Sequence, residues 1–290
     1  MQIPERVLRQ QGQRALVDGI PFELPVVCAP SPVLMAAFTI DGDKAAALLP
    51  GKELFPVRLL NGRAVLLVAV IDYQQTTIGK YIEFNVGIGC THGEKPAPAI
   101  VPGLLTDLFG TGQFVLDLPV STEISVKGGK GIWGMPKHQA NLDFTITDRS
   151  VSSQYDLDGQ PVLAIDIEHP GEPRLPVRMK AANYCAFRGM LMKSTIYFTG
   201  EAAVRVLPRA AGSLRVGTHP RLQVLRDLDV APEPIMTAFL PAAQGTLDDH
   251  IEAWFLHYDT LPSTPPEGLE SVVTLGLGQE WLPAPVREAV

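Results

Sequence analysis

The candidate chemistry of this sequence lies in the stretch Gly129-Lys130-Gly131-Ile132-Trp133-Gly134-Met135-Pro136-Lys137-His138. It places one lysine, Lys137, between a proline and a histidine, close to several glycines and large apolar side chains. A lysine amine is nucleophilic only when deprotonated, and an apolar environment or a cationic neighbour lowers its pKa. Trp133 and Met135 would desolvate Lys137, and His138 would repel its charge when protonated. The stretch therefore predicts a reactive lysine, and a solvated lysine beside a turn is the alternative.

The composition around this stretch favours a mostly β chain. The sequence has 290 residues, of which 26 are glycine and 26 are proline. Proline removes a backbone donor and glycine weakens the interior of helices and strands, so many turns and short strands are expected. The length suffices for a large buried core, and no long polar linker divides the chain. We expect a single domain over residues 20–290, preceded by an N-terminal arm at residues 1–19.

Charge and motif patterns exclude several classes of function. The net charge is -7 and no Lys/Arg run is longer than a pair, which argues against nucleic acid as a partner. The GxGxxG pattern is absent, and Lys127-Gly128-Gly129-Lys130 lacks the spacing of a phosphate-binding loop, so these two lysines are expected to be solvated. The segment 248–252 carries carboxylates and a histidine, but an exposed helix face explains it better than a metal site. No metal site is predicted.

The cysteine pattern and hydropathy indicate a protein of the cytoplasm without a membrane span. Cys28, Cys90 and Cys185 lie far apart and form no CxxC pair, so neither a disulfide framework nor a zinc site is expected. Cys90, close to His92, is interpreted as a strand end. The N-terminus lacks the apolar core of a signal peptide, and the longest apolar run, residues 64–71, is too short to span a bilayer.

Local signals in the first half of the chain place a helix and three strands. Residues 41–50 combine acidic residues, good helix formers and a final proline, which predicts a short helix. Asn61-Gly62 predicts a hairpin that joins strands at 54–60 and 63–71. In a third strand at 78–89, Tyr81 and Glu83 are two residues apart and share one face.

Signals in the rest of the chain predict further strands and two helices. A short helix is expected near 104–109, a strand at 113–118, and a helix from Ser121 or Thr122 toward Lys127. Residues 128–135 should end regular structure. Strands at 141–148 and 150–157, a hairpin at Asp158-Gly159, and further short strands through about residue 240 complete the body. Residues 248–258 could be a helix or a strand, and the last thirty residues are expected to lie over the body as extended chain. We expect a curved or closed antiparallel barrel.

The motif at 129–137 resembles that of the acetoacetate decarboxylase superfamily. The family pattern is G-[RK]-x-x-x-G-[FYM]-P-K, and all its fixed positions are matched here. Further similarities cover roughly residues 20–207, at Leu48-Leu49-Pro50, Tyr81-x-Glu83, Phe198-Thr199-Gly200 and Val204-Arg205-Val206. The resemblance implies a β-barrel with a few short helices that assembles as a homo-oligomer and uses no cofactor.

The resemblance also implies roles for individual residues. Lys137 is similar to the lysine that forms a Schiff base with a keto acid, and Glu83 to a pocket glutamate. The family's second lysine is replaced by His138, its arginine before the first helix by Thr39, and its second pocket glutamate by Gln113. Trp133 and Tyr81 complete the expected substrate-binding set.

The expected reaction is decarboxylation of a β-keto acid through a lysine iminium and enamine. The same intermediates serve an aldolase or dehydratase that acts on pyruvate-type 2-oxo acids, with Glu83 or a tyrosine such as Tyr81 or Tyr258 moving protons. A ligand-binding barrel that keeps the lysine without turnover is a third reading.

Overall fold

A computed structural model describes residue 5 and residues 12–248, 251–260 and 275–287. The strands are β1 Gln13–Val17, β2 Ile20–Leu24, β3 Val26–Ile40, β4 Leu54–Pro56, β5 Ala64–Tyr73, β6 Tyr81–His92, β7 Gly112–Val120, β8 Lys137–Gln139, β9 Asn141–Leu142, β10 Thr145–Ile146, β11 Ser150–Leu157, β12 Gln160–Glu168, β13 Leu175–Phe187, β14 Met190–Val206, β15 Gly212–Val216, β16 Met236–Leu247 and β17 Glu252–Phe255. The helices are α1 Gly42–Leu48, α2 Val101–Leu104, α3 Glu123–Trp133 and α4 Val224–Asp227, with a 3-10 turn at Pro220–Leu222.

Seven of these strands close into a barrel. Their order around the barrel is β6-β5-β3-β16-β14-β13-β7, and β7 pairs back with β6. Neighbouring strands are antiparallel except at β7 and β13, which pair in parallel through two residues. Strand β8 extends the sheet beside β7, also in parallel. The predicted mainly β fold with a closed barrel is confirmed.

A second, five-stranded sheet covers the outside of the barrel. It has the order β10-β11-β12-β15, with β9 paired to β11. Ile82 and Phe84 point outward from β6 and belong to the same buried cluster as Tyr155 and Leu163 of the second sheet. A separate cluster, which includes Tyr81, Leu118 and Trp133, lies on the other side of the barrel wall. Because successive side chains of a strand point to opposite faces, each strand of the barrel contributes residues to both hydrophobic clusters.

Several predicted elements are confirmed and others are corrected. Helix α1 begins after Asp41, whose side chain accepts hydrogen bonds from the backbone of Asp43 and Lys44. The hairpin at Asp158-Gly159 is also confirmed. Of the last thirty residues the structure describes 275–287, which carry no helix or strand and lie over the body, where the Ile124 N–H donates to the Gly278 carbonyl. The hairpin at Asn61-Gly62 is confirmed only next to its turn, where Arg58 bridges Ala64 and the Leu59 N–H donates to the Arg63 carbonyl. Farther from the turn the expected pairing is wrong, because β4 pairs with β6 and not with β5.

Other corrections concern element length. The helix expected at 104–109 is α2, which begins and ends earlier, at 101–104. Strands β13 and β14 have 13 and 17 residues, not the short runs expected, because they pair with each other along the whole of β13. Within 251–260 the chain forms strand β17, while residues 249–250 lie outside the described part. Residues 13–17 pair with 20–24, so the end of the expected arm forms a hairpin with the following segment, while residues 1–4 and 6–11 lie outside the described part.

The largest correction concerns the glycine-rich stretch, where we expected regular structure to end. Helix α3 continues through Gly128 to Trp133. Glycines in a helix interior disfavour the helix, but here tertiary packing outweighs that preference. Lys127 is only 1% exposed and donates to the Leu275 carbonyl at 2.7 Å, and Lys130 is also buried, so the expected solvation of both lysines is wrong.

No helix in the described ranges is both long and apolar enough to span a bilayer.

Candidate active site

The local structure of the glycine-rich stretch explains how Lys137 is presented. Gly134 ends α3 in the left-handed conformation at φ 66°, and its N–H donates to the Lys130 carbonyl. Glycine adopts this conformation without strain, which suits the residue that ends a helix. Pro136 cannot continue the helix, so the chain turns directly into β8, whose first residue is Lys137.

Helix α3 makes room for the Lys137 side chain. Ser125 and Gly129 are one helical turn apart and face the same way. The Ser125 hydroxyl accepts a hydrogen bond from Lys137 Nζ at 3.1 Å. A Cβ at Gly129 would lie 2.4 Å from Lys137 Cδ. The absence of a side chain at 129 is therefore required for the observed position of the lysine.

Lys137 and Glu83 form a buried pair inside the barrel. Lys137 Nζ lies 2.8 Å from Glu83 Oε2, and their side chains are 4% and 13% exposed. Nζ also lies 5.2 Å from the centre of the Tyr81 ring, within the range of a cation–π contact. The charged partner of Lys137 is thus the anionic Glu83. His138, the expected cationic neighbour, does not take part in this contact.

The pair faces a cavity of about 110 Å³. Most of its lining is apolar and includes Val33, Met35, Met179 and Leu240. Glu83 and Lys137 are the charged residues that line it within the described part of the chain. A buried amine and carboxylate in an apolar cavity are the arrangement expected of covalent chemistry on a small carbonyl compound.

Two tyrosines stand beside Glu83 in the same cavity. Burial, reinforced by the charge of Glu83, raises the pKa of both Tyr73 and Tyr81 well above the usual value. The two rings lie 4.6 Å apart. Both phenols therefore remain protonated at neutral pH and can donate hydrogen bonds inside the cavity.

His138 does not lie in this cavity. Neighbouring residues on a strand face opposite sides, so His138 projects away from the Lys137 amine. Its Nε2 lies 2.8 Å from the Tyr155 hydroxyl, which donates to Asp117. Burial, followed by the charge of Arg221, lowers the pKa of His138 to about 3. His138 is neutral at pH 7, and the expectation that it repels the Lys137 charge is corrected.

Of the other residues expected to bind substrate, Thr39 and Trp133 lie outside the cavity, and Tyr81 and Gln113 line it. Thr39 does not line the cavity; its hydroxyl accepts from Arg63 Nε at 2.9 Å near the end of β3. Trp133 is packed in the inner cluster and donates to the Asp248 carbonyl at 2.9 Å, outside the cavity lining. Tyr81 and Gln113 do line the cavity.

Sequence reasoning missed other cavity residues. Asn85 follows Glu83 by two positions on β6, so alternation could have identified it. Ser125, which accepts a hydrogen bond from Lys137 but does not line the cavity, required the knowledge that α3 continues beyond Lys127. Asn183 comes from a distant strand and carries no local signal. Among the described residues, no cluster of three or more His, Cys, Asp or Glu side chains could hold a metal ion.

Comparisons with known proteins agree with this fold. The fold defines a closed β-barrel protein with a lysine that faces the interior. Residues 9–193 match the family acetoacetate decarboxylase (ADC). The chain belongs to the acetoacetate decarboxylase family. A search of curated proteins found no match.

Solved structures show the same fold at low identity. The acetoacetate decarboxylase of Legionella pneumophila is 16% identical, with a TM-score of 0.57 over 77% of this chain and 85% of that chain. A structure described as acetoacetate decarboxylase is 11% identical, with a TM-score of 0.59 over 81% and 91%. The enduracididine biosynthesis enzyme MppR, complexed with the condensation product of pyruvate and imidazole 4-carboxaldehyde, is 12% identical, with a TM-score of 0.54 over 79% and 88%.

Proposed function

We propose that this protein is a Schiff-base lyase that decarboxylates a β-keto acid, with Lys137 as the nucleophile. The observation that carries the proposal is the buried Lys137 amine, 2.8 Å from Glu83 in an otherwise apolar cavity. Membership of the acetoacetate decarboxylase family supports it. The expected homo-oligomer and cytoplasmic location remain predictions.

The first stage forms the covalent bond. The Lys137 ammonium loses a proton, and Glu83 is the group within reach to receive it. The neutral amine adds to the ketone carbon to give a carbinolamine. Glu83 returns the proton to the hydroxyl, which leaves as water and produces the iminium.

The second stage breaks the carbon–carbon bond. The bond to the carboxylate cleaves, its electron pair moves to the iminium nitrogen, and carbon dioxide and an enamine result. Loss of carbon dioxide removes the substrate's negative charge from an apolar cavity that already holds the carboxylate of Glu83, which favours this step. Protonation of the enamine carbon and hydrolysis of the new iminium release the ketone and restore Lys137.

An aldolase or dehydratase acting on a pyruvate-type 2-oxo acid is the second candidate. The two protonated phenols beside Glu83 favour it, since Tyr73 or Tyr81 could donate a proton to an aldehyde or to a departing hydroxyl. The complex of MppR with a pyruvate condensation product shows a related barrel holding such a compound. In the candidate aldolase reaction, the enamine on Lys137 attacks the carbonyl carbon of a second substrate instead of taking a proton.

Borohydride trapping tests the shared mechanism. The protein is treated with borohydride in the presence of acetoacetate or pyruvate, which reduces the iminium to a stable amine, and its intact mass is measured. The wild type and the surface control Lys44→Met should each gain one substrate- or product-sized increment, and Lys137→Met should gain none. An unchanged wild-type mass with both acids contradicts the Schiff-base mechanism.

Product analysis separates the candidates. Release of carbon dioxide from acetoacetate that Lys137→Met abolishes supports the decarboxylase. Condensation of pyruvate with an aldehyde, without that release, supports the aldolase. A trapped adduct with no turnover of either kind supports a ligand-binding barrel.

A further inference from the structure

Three uncharged amide side chains line the cavity beyond the Lys137–Glu83 pair. They are Asn85 on β6, Gln113 on β7 and Asn183 on β13, and we call them the amide subsite. Gln113 and Asn183 face each other where β7 and β13 pair, and Gln113 Nε2 donates to Asn183 Oδ1 at 2.8 Å. This bond fixes two of the three amides in one orientation.

Asn85 carries the observation that points to a ligand. The residue is 8% exposed, lines the cavity, and its Oδ1 has no hydrogen-bond partner among the described residues. A buried carbonyl oxygen without a donor costs free energy, so such atoms are rare in folded proteins. A ligand in the cavity that donates a hydrogen bond would satisfy this oxygen.

The strand register places the amide subsite away from the reacting amine. Asn85 follows Glu83 by two residues, which corresponds to about 7 Å along the strand. Gln113 lies five residues before Leu118, the residue of β7 that pairs with Lys137. A substrate joined to Lys137 would therefore meet the amide subsite with atoms remote from its reacting carbon.

The chemistry of the amide subsite selects an uncharged group. An amide offers both a donor and an acceptor, and a hydroxyl is the small group that matches both. A second carboxylate would fit poorly, because Lys137 is the cationic residue that lines the cavity in the described part of the chain. The cavity is small, at about 110 Å³, which favours a substrate with a short chain.

We propose that the amide subsite binds a hydroxyl group and that the substrate is a short keto acid hydroxylated away from its ketone carbon. This assignment of substrate class rests on the proposed Schiff-base function. Asn85 accepts the hydroxyl hydrogen, and a neighbouring amide N–H donates to the hydroxyl oxygen.

The test compares two β-keto acids, 3-oxopentanoate and 5-hydroxy-3-oxopentanoate, which differ by one hydroxyl placed away from the ketone carbon. Binding is measured by calorimetry on Lys137→Met, which cannot form the covalent bond, and on the same protein carrying Asn85→Leu. The hydroxylated acid should bind Lys137→Met about tenfold more tightly, and Asn85→Leu should abolish the preference. Met179→Leu, which changes an apolar lining residue, is the matched control and should keep it. Gln113→Met provides a second variant if Asn85→Leu does not fold.

Borohydride trapping with the same acids on the wild type separates the two proposals. An adduct without a hydroxyl preference overturns the amide subsite and leaves the Schiff-base function intact. A preference without an adduct overturns the function and keeps the subsite. Equal affinities, or no measurable binding of the hydroxylated acid, overturn the subsite whatever the trapping result.

Discussion

Lys137 and Glu83 lie 2.8 Å apart although strand β7 separates their strands. Their partners on β7 are Leu118 and Val120, which are two residues apart and face the same side. The two charged side chains therefore meet across one strand on the inner surface of the barrel. Every prediction about the reaction depends on this pair or on the elements that hold it.

Glu83→Gln should lower turnover of the keto acid by about 10²–10⁴-fold, because the amide cannot receive the Lys137 proton. The side chain keeps its size, so the fold and the cavity should persist. Steady-state kinetics and the rate of borohydride-trapped adduct formation measure the effect, with the exposed Glu94→Gln as control. Wild-type rates in Glu83→Gln would remove Glu83 from the mechanism.

Gly129→Ala should reduce turnover at least about 100-fold while the protein remains folded. The new Cβ would lie 2.4 Å from Lys137 Cδ and 2.7 Å from Cε, so the flexible end of the lysine must move. A displacement of about 1 Å at a reacting group can cost this much. Gly93→Ala is the control, since a Cβ there meets nothing within 4 Å. Circular dichroism checks the fold, and unchanged kinetics would contradict the assigned close approach.

His138→Gln should weaken the acid sensitivity of folding. Burial lowers the pKa of His138 from 6.5 to about 3 in the folded protein. Between these values the unfolded chain binds a proton that the folded chain does not, so stability falls as the pH falls through this window. At pH 5 this loss amounts to about 2 kcal/mol relative to neutral pH.

Urea unfolding at pH 7 and pH 5 measures this loss, which should be about 2 kcal/mol smaller in His138→Gln than in the wild type. Tyr155, Asp117 and Arg221 face His138 in both proteins. Burial raises the pKa of Asp117, which acts in the opposite direction and largely cancels in the comparison. The exposed His257→Gln is the control. Equal pH dependence in His138→Gln and wild type would show that His138 is not held neutral.

Lys127→Met should lower the free energy of unfolding by about 1–3 kcal/mol, because it removes the donor to a backbone carbonyl. Lys127 Nζ lies 2.7 Å from the Leu275 oxygen and 3.5 Å from Asp18 Oδ2, so it joins α3 to both the N-terminal hairpin and the extended C-terminal segment. Urea unfolding checks the change against the exposed Lys44→Met. A difference within 0.5 kcal/mol of the control, the usual range for surface changes, would show that the buried contacts contribute little.

Local sequence signals determined the elements that depend on neighbouring residues. Asp41 caps α1, Asp158-Gly159 makes a hairpin turn, and the two-residue period of β6 places Tyr81 and Glu83 on one face. The motif at 129–137 selected Lys137 and the family. These features follow from backbone preferences and from alternation, which act over a few residues.

Tertiary structure decided what distant strands bring together. The sequence could not show that α3 continues through its glycines, since the gain comes from packing against Lys137 and the N-terminal hairpin. Nor could it show that His138 and Thr39 lie outside the cavity, or that Asn85 and Asn183 line it together with Gln113. Closure of the barrel sets these distances, because it joins strands far apart in the chain at a fixed register. Sequence reasoning alone therefore singled out Lys137, and the folded barrel determined what surrounds it.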